Sequence, residues 1–156
     1  MKPESITIKN LESAFAGESM AHIKYMYFAK VCRAAGDIET AKVFEETAAQ
    51  EVQHAFGHLD LLYPAAQLTP AKALEMAIAG ETYEYTEMYP QFRHLAEQEG
   101  NTKAVAEMDE QIVESKEHAE RFQNTLAKAA KRFAALAKVE ERHANQYRAT
   151  LARVNA

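Results

Sequence analysis

The sequence predicts an all-α protein, an antiparallel four-helix bundle with an extended or inserted C-terminal helical segment. Three observations predict it. Only 5 Gly and 4 Pro occur among 156 residues, too few turn-formers for an all-β sandwich or barrel. The period is that of a helix: Leu11, Ala14, Glu18, Ala21, Tyr25, Phe28 and Cys32 lie along one stripe. The breakers fall between segments, the first three of 25–29 residues, joined by short connections, the layout of an up-and-down bundle.

The elements follow in order. Gly36-Asp37 reads as a glycine after the end of a first helix, near 6–34, followed by the N-cap of a second, near 38–62. Tyr63-Pro64 ends that second helix, and Thr69-Pro70 restarts the chain as N-cap plus first-turn proline. The third helix runs near 71–98, with Pro90 expected to kink it. Gly100-Asn101 repeats the Gly36-Asp37 arrangement, and from Asn101 to Ala156 there is neither Gly nor Pro.

Composition narrows the function. A chain of this length buries roughly 70% of its unfolded surface and needs no disulfide or metal for size alone. Apolar residues make up 47% and charged residues 26%, the balance of a folded globular domain. Eighteen basic against 23 acidic residues give a net charge of −5, without the basic footprint of a nucleic-acid binder. The single cysteine, Cys32, makes no internal disulfide and no Cys₄ zinc or iron site. No run approaches 18 apolar residues and the N-terminus lacks a signal-peptide core. A single domain over 1–156, away from membranes and in the cytoplasm, is the expectation.

Two internal repeats mark the chain. Ala14-Phe-Ala-Gly-Glu18 matches Ala77-Ile-Ala-Gly-Glu81, as if two hairpins were copies of one. Ser115-Lys-Glu-His118-Ala119 is echoed 25 residues later by Glu140-Glu-Arg-His143-Ala144. Twenty-five residues fall about 20° short of seven full turns, so both copies share a face, roughly 37 Å apart on a continuous helix.

The chemistry sits in acids on the apolar stripes: Glu18; Glu51 with His54; Glu81 with Glu84; and Glu140 with His143. Residues three apart on a helix project side by side, so each Glu-x-x-His can hold one cation. A lone pair of this kind is more often a solvated surface pair, but two copies on core faces with matching acids on the other helices favour a metal site. One Glu from each of two helices and Glu-x-x-His from the other two is the donor pattern of di-iron carboxylate bundles. Five such carboxylates leave −1 against two divalent ions and +1 against two trivalent ions, so the site straddles neutrality. Without cations the acids would be costly to bury.

The sequence resembles the rubrerythrin family of ferritin-like di-iron proteins, in the form lacking a rubredoxin domain and similar to sulerythrin-type erythrins. The resemblance rests on Asn10-Leu11 with Ala14-Phe-Ala-Gly-Glu18-Ser, Phe44-Glu-Glu-Thr-Ala with Glu51-Val-Gln-His54-Ala, Ala79-Gly-Glu81-Thr-Tyr-Glu84 through Tyr89-Pro90, and Glu140-Glu-Arg-His143-Ala. It implies a ferritin-like bundle holding two Fe ions. Glu51 and Glu140 would bridge them, Glu18 and Glu81 would be terminal ligands, and His54 and His143 would supply nitrogens. Glu84 would be the extra carboxylate that exchanges with the first histidine, and Tyr25 and Tyr89 would be phenols hydrogen-bonding the carboxylates. Core packing is the alternative for both tyrosines. The implied activity is a peroxidase that reduces hydrogen peroxide to water, with electrons from an external rubredoxin or flavin reductase. A homodimer, in swapped form if the long helix enters a partner, is the implied assembly.

One departure stands out. Where the family carries its last Glu-x-x-His, 15 and 18 residues after the glycine turn, this chain has Ser115 and His118. One reading makes about 101–125 an insertion and keeps Glu140 and His143 as ligands. The other makes 102–123 the fourth helix, with His118 and Glu114 as ligands and a projecting tail. A ferroxidase or iron-handling role and a non-catalytic helical oligomerisation module are the alternatives to peroxidase.

Overall fold

The computed structural model describes residues 5–154, and among them there is no strand. Five α-helices follow in order: α1 (Ile6–Ala34), α2 (Ile38–Leu62), α3 (Pro70–Tyr83), α4 (Tyr89–Gln98) and α5 (Thr102–Val154), with a π-helical turn at Glu84–Met88 joining α3 to α4. The chain divides into two compact units, Met1–Leu68 and Thr69–Ala156.

The turn chemistry sets the boundaries. At the end of α1, Gly36 takes φ +82°. The Asp37 N–H then reaches Cys32 O and the Gly36 N–H reaches Arg33 O, the paired bonds of a Schellman motif that only glycine enters without strain. Gly100 does the same at φ +70°, with Asn101 N–H on Ala96 O. The next helices are capped by side chains: Asp37 accepts from Thr40 N, Thr69 from Lys72 N and Asn101 from Ala104 N, at 3.0–3.2 Å.

The expected kink at Pro90 is resolved as a phase change. Tyr89 N–H bonds to Glu84 O, five residues back. This wider turn sits where Pro90 removes one donor and crowds the preceding turn.

In the first unit α1 and α2 pair along alanines. Ala29, Ala41, Ala48 and Ala55 are its buried residues, and the last three recur every seven positions, which lets the two backbones approach. Tyr25, Phe28 and Phe44 close one end, with ring centroids 5.5–6.5 Å apart. Arg33 grips Glu45 through both Nε and Nη2 at 2.7 and 2.6 Å.

In the second unit α3 and α4 pack on α5, whose buried residues are Ser115 and Ala119. Arg93 on α4 donates to Asp109 on α5 at 2.6 Å. This corrects the insertion reading of 101–125. The stretch from Thr102 to about Leu126 is the packed partner of α3 and α4, and the remainder of α5 is the extension. From Ala127 to Val154 only Ala129, Val139 and Ala144 are even half-buried.

Candidate metal centre

The antiparallel pairing of α1 and α2 brings Glu18 beside Glu51 and His54. One ligand atom from each lies within 4.8 Å of the other two, close enough for a single cation to touch all three. His54 Nδ1 is 2.9 Å from Glu51 Oε2, the side-by-side projection expected of residues three apart. Glu51 is mostly covered, at 16% side-chain exposure, whereas His54 is 58% exposed. Across the hairpin, His22 Nδ1 lies 2.8 Å from the Ala48 carbonyl oxygen. That contact fixes the register of α1 on α2 one turn from Glu18.

The second unit carries its own donor set. His118 Nδ1 lies 3.4 Å from Glu81 Oε2, and Ser115 Oγ–H donates to Glu84 Oε2 at 3.0 Å. Glu84 opens the π-helical turn, a local geometry that recurs at functional sites. Tyr89 ends that turn. Burial and the negative charges of Glu84, Glu81 and Glu107 hold its phenol above the usual tyrosine range, so the ring lies in the field of these acids.

The structure sorts the expected residues. It brings Glu18, Glu51 and His54 together, and it sets Glu81 and Glu84 against α5. Tyr25 joins the Phe28 and Phe44 rings, which is the packing alternative. Glu140 and His143 are exposed on the extension, and Glu140 lies 22 residues beyond His118, about 33 Å along α5. Neither approaches Glu81 or Glu84. His118 occupies the place expected of His143, while Glu114 is exposed. The sequence reading missed Ser115 as the hydroxyl that holds Glu84; its distance of 15 residues from Gly100, matching Glu51 and Gly36, is the signal that marks it.

Carboxylates with imidazoles suit iron, which takes both oxygen and nitrogen donors. The Glu18, Glu51 and His54 set fits that requirement. On the second unit two carboxylates and an imidazole also fit, and the neutral Ser115 hydroxyl stands where a bridging carboxylate is expected. The sequence model of the family described as Rubrerythrin matches residues 9–126.

The chain belongs to the rubrerythrin family. Its relatives include rubrerythrin of Porphyromonas gingivalis, 39% identical over 79% of this chain and 67% of that one. Rubrerythrin of Nitratidesulfovibrio vulgaris is 36% identical over 76% and 68%, and nigerythrin of the same organism 36% over 74% and 63%. The chain therefore spans about two thirds of the length of these relatives. A solved structure of fully reduced, all-ferrous nigerythrin is 33% identical over 82% of this chain and 70% of that chain, with a TM-score of 0.41. The family match ends at residue 126, where the packed part of α5 gives way to the exposed extension. No helix among the described residues is long and apolar enough to cross a membrane.

Proposed function

We propose that this protein is a non-haem di-iron peroxidase of the cytoplasm, reducing hydrogen peroxide to water with electrons from an external donor such as a rubredoxin or a flavin reductase. The observation that carries the reading is the convergence of Glu18, Glu51 and His54 within 4.8 Å, in a chain of the rubrerythrin family. The proposed iron ligands are Glu18, Glu51 and His54 in the first unit and Glu81, Glu84 and His118 in the second. Homodimerisation belongs to the same reading. Ile23, Tyr27 and Phe56 are each more than half exposed, and large apolar side chains in that number ask for a cover.

Bound iron supplies the two electrons that, with two protons, convert hydrogen peroxide into two waters. The protein's own groups set the conditions. Tyr89, like any tyrosine, carries its proton at neutral pH; burial and the nearby acids disfavour its phenolate further, so its hydroxyl is available as a hydrogen-bond donor. Ser115 holds one Glu84 oxygen and leaves the other free. The two carboxylates of each unit balance one divalent ion to neutrality and leave +1 with a trivalent ion. With Ser115 in place of a further acid, the donor set of the second unit favours the ferrous state. Cys32 alone builds no iron–sulfur relay within these residues, so in this reading the reducing equivalents reach the iron from a donor outside them.

The test is anaerobic iron titration followed by one equivalent of peroxide or dioxygen. About two irons per chain, oxidised much faster by peroxide, is the expected result. Faster reaction with dioxygen replaces peroxidase by iron handling, and failure to bind iron tightly returns the chain to a helical interaction module. Glu51→Ala is expected to abolish tight iron binding while leaving helix content intact.

A further inference from the structure

One seam runs along the whole of α5. From Val105 to Leu126, residues spaced alternately three and four apart are buried or half-buried, Ser115 and Ala119 among them, where α5 packs on α3 and α4. The same spacing continues unbroken through Phe133, Leu136, Glu140, His143, Tyr147 and Val154. Here it is bare: Phe133 is 71% exposed, Leu136 56%, Tyr147 75% and Val154 77%. A repeat of 3.5 residues sustained over four heptads is a coiled-coil seam. It is flanked on one side by Ala130, Ala137 and Ala144, small enough for a second helix to approach closely.

We propose that the α5 extension, residues 127–154, pairs antiparallel with the same segment of a second copy, with its axis of symmetry between Glu140 and His143. This inference is independent of the iron chemistry. In an antiparallel pair each first core position of the heptad faces the fourth of its partner. That rule sets Leu136 against Tyr147 of the second copy and Phe133 against Thr150. Glu140 then faces His143 of the second copy, and the exchange is reciprocal. The two ionisable residues of the seam, which would interrupt any other coil, thus satisfy each other at its centre. A parallel pair stacks Glu140 on Glu140 and His143 on His143, which like-charge and desolvation costs disfavour. The Ala137 flank meets Ala144 of the second copy. The stripe is a narrow one, suited to a helix; a helix lying in a lipid interface presents a broader apolar face.

Charge separates this partner from the other candidates. Residues 127–154 hold seven Lys or Arg against two Glu, a net +5, in a chain of −5, so the remainder is −10. Most of the cations project away from the seam, but Arg132 comes alongside Arg153 of the second copy. Self-pairing is therefore strengthened by salt, which screens that repulsion, whereas docking of a basic helix on an acidic surface is weakened by it.

The experiment uses full-length chains with Cys32→Ser. One carries Leu136→Cys and the other Tyr147→Cys; each is treated with mild oxidant alone and in mixture, and disulfide-linked dimers are read on non-reducing gels. The expected result is a crosslink in the mixture only, rising many-fold from about 0.05 to about 0.5 M salt. In antiparallel register like positions stand eleven residues apart, about 16 Å, beyond the reach of a disulfide. Crosslinking by either variant alone, none in the mixture, or loss of the crosslink with salt overturns the proposal. Glu140→His is expected to lower the yield in the mixture, and adding His143→Glu to restore it. A yield unmoved by both substitutions would also overturn it.

Discussion

Replacing Ser115 by alanine removes the hydroxyl through which α5 holds Glu84. The Ser115 side chain is almost wholly buried, at 3% exposure, and its Oγ–H donates to Glu84 Oε2 at 3.0 Å. A hydrogen bond to a charged group contributes about 1.5–3 kcal/mol. Glu84 is only half-buried and recovers some water when the hydroxyl goes, which places the loss at the lower end. Alanine returns about 0.5 kcal/mol through its better helix propensity, leaving a net cost of about 1 kcal/mol. With a urea slope of about 2 kcal/mol per molar, the midpoint of the metal-free protein falls by about 0.5 M, followed by circular dichroism. Combining Ser115→Ala with Glu84→Gln closes a cycle whose coupling should reach at least about 0.5 kcal/mol. An unchanged midpoint for Ser115→Ala, or the same cost in the Glu84→Gln background, refutes the assignment of the hydroxyl to Glu84.

Three further outcomes are expected. Ser115→Glu adds a third carboxylate to the donor set of the second unit, so the iron-loaded variant should hold ferric iron more firmly; a redox titration showing a potential equal to or above that of the parent would contradict the charge argument. Gly36→Ala forces a side chain into φ +82° and should cost about 1–2 kcal/mol, whereas Gly57→Ala, inside α2 with open space around it, should gain up to about 1 kcal/mol; equal urea midpoints for the two variants would count against the turn assignment. Tyr89 has a raised folded-state pKa, so above the ordinary tyrosine value of about 10 the unfolded chain releases its proton first and stability falls as pH rises. Tyr89→Phe should flatten that alkaline loss in melting experiments, and an identical pH profile would show that the phenol is not the group responsible.

Much of the fold was legible because glycine, proline and capping residues act locally. Gly36, Thr69-Pro70 and Gly100 decide their own backbone conformation, and each helix boundary next to them follows from the sequence. The donor set of the first hairpin was legible for the same reason. Glu18 and Glu51 stand 18 residues before and 15 after one glycine turn, and an antiparallel pairing with a rise of 1.5 Å per residue brings such positions level. The π-helical turn was not legible in kind. Pro90 announces that the hydrogen-bond ladder must change, but a kink, a break and a wider turn all remove the same donor. Only the packing of α3 and α4 on one continuous helix selects among them.

The last helix shows where residue identity and register conflict. Ser115-x-x-His118 and Glu140-x-x-His143 share a helical face, so periodicity cannot choose between them. The chemistry of a bridging ligand favours Glu140, whereas distance from the turn favours Ser115. The structure follows distance, because the Schellman bonds at Gly100 start α5 at once and α3 and α4 bury the first stretch of apolar seam they meet. Moving the glutamate into place would require expelling about 25 residues that already match that seam, Ala119 and Phe122 included. Burial of those side chains outweighs the identity of one ligand, since a serine at the buried position satisfies its hydroxyl on Glu84 at little cost. The displaced Glu-x-x-His is thereby left free on a bare seam, where its two ionisable side chains are complementary only to an inverted copy of themselves.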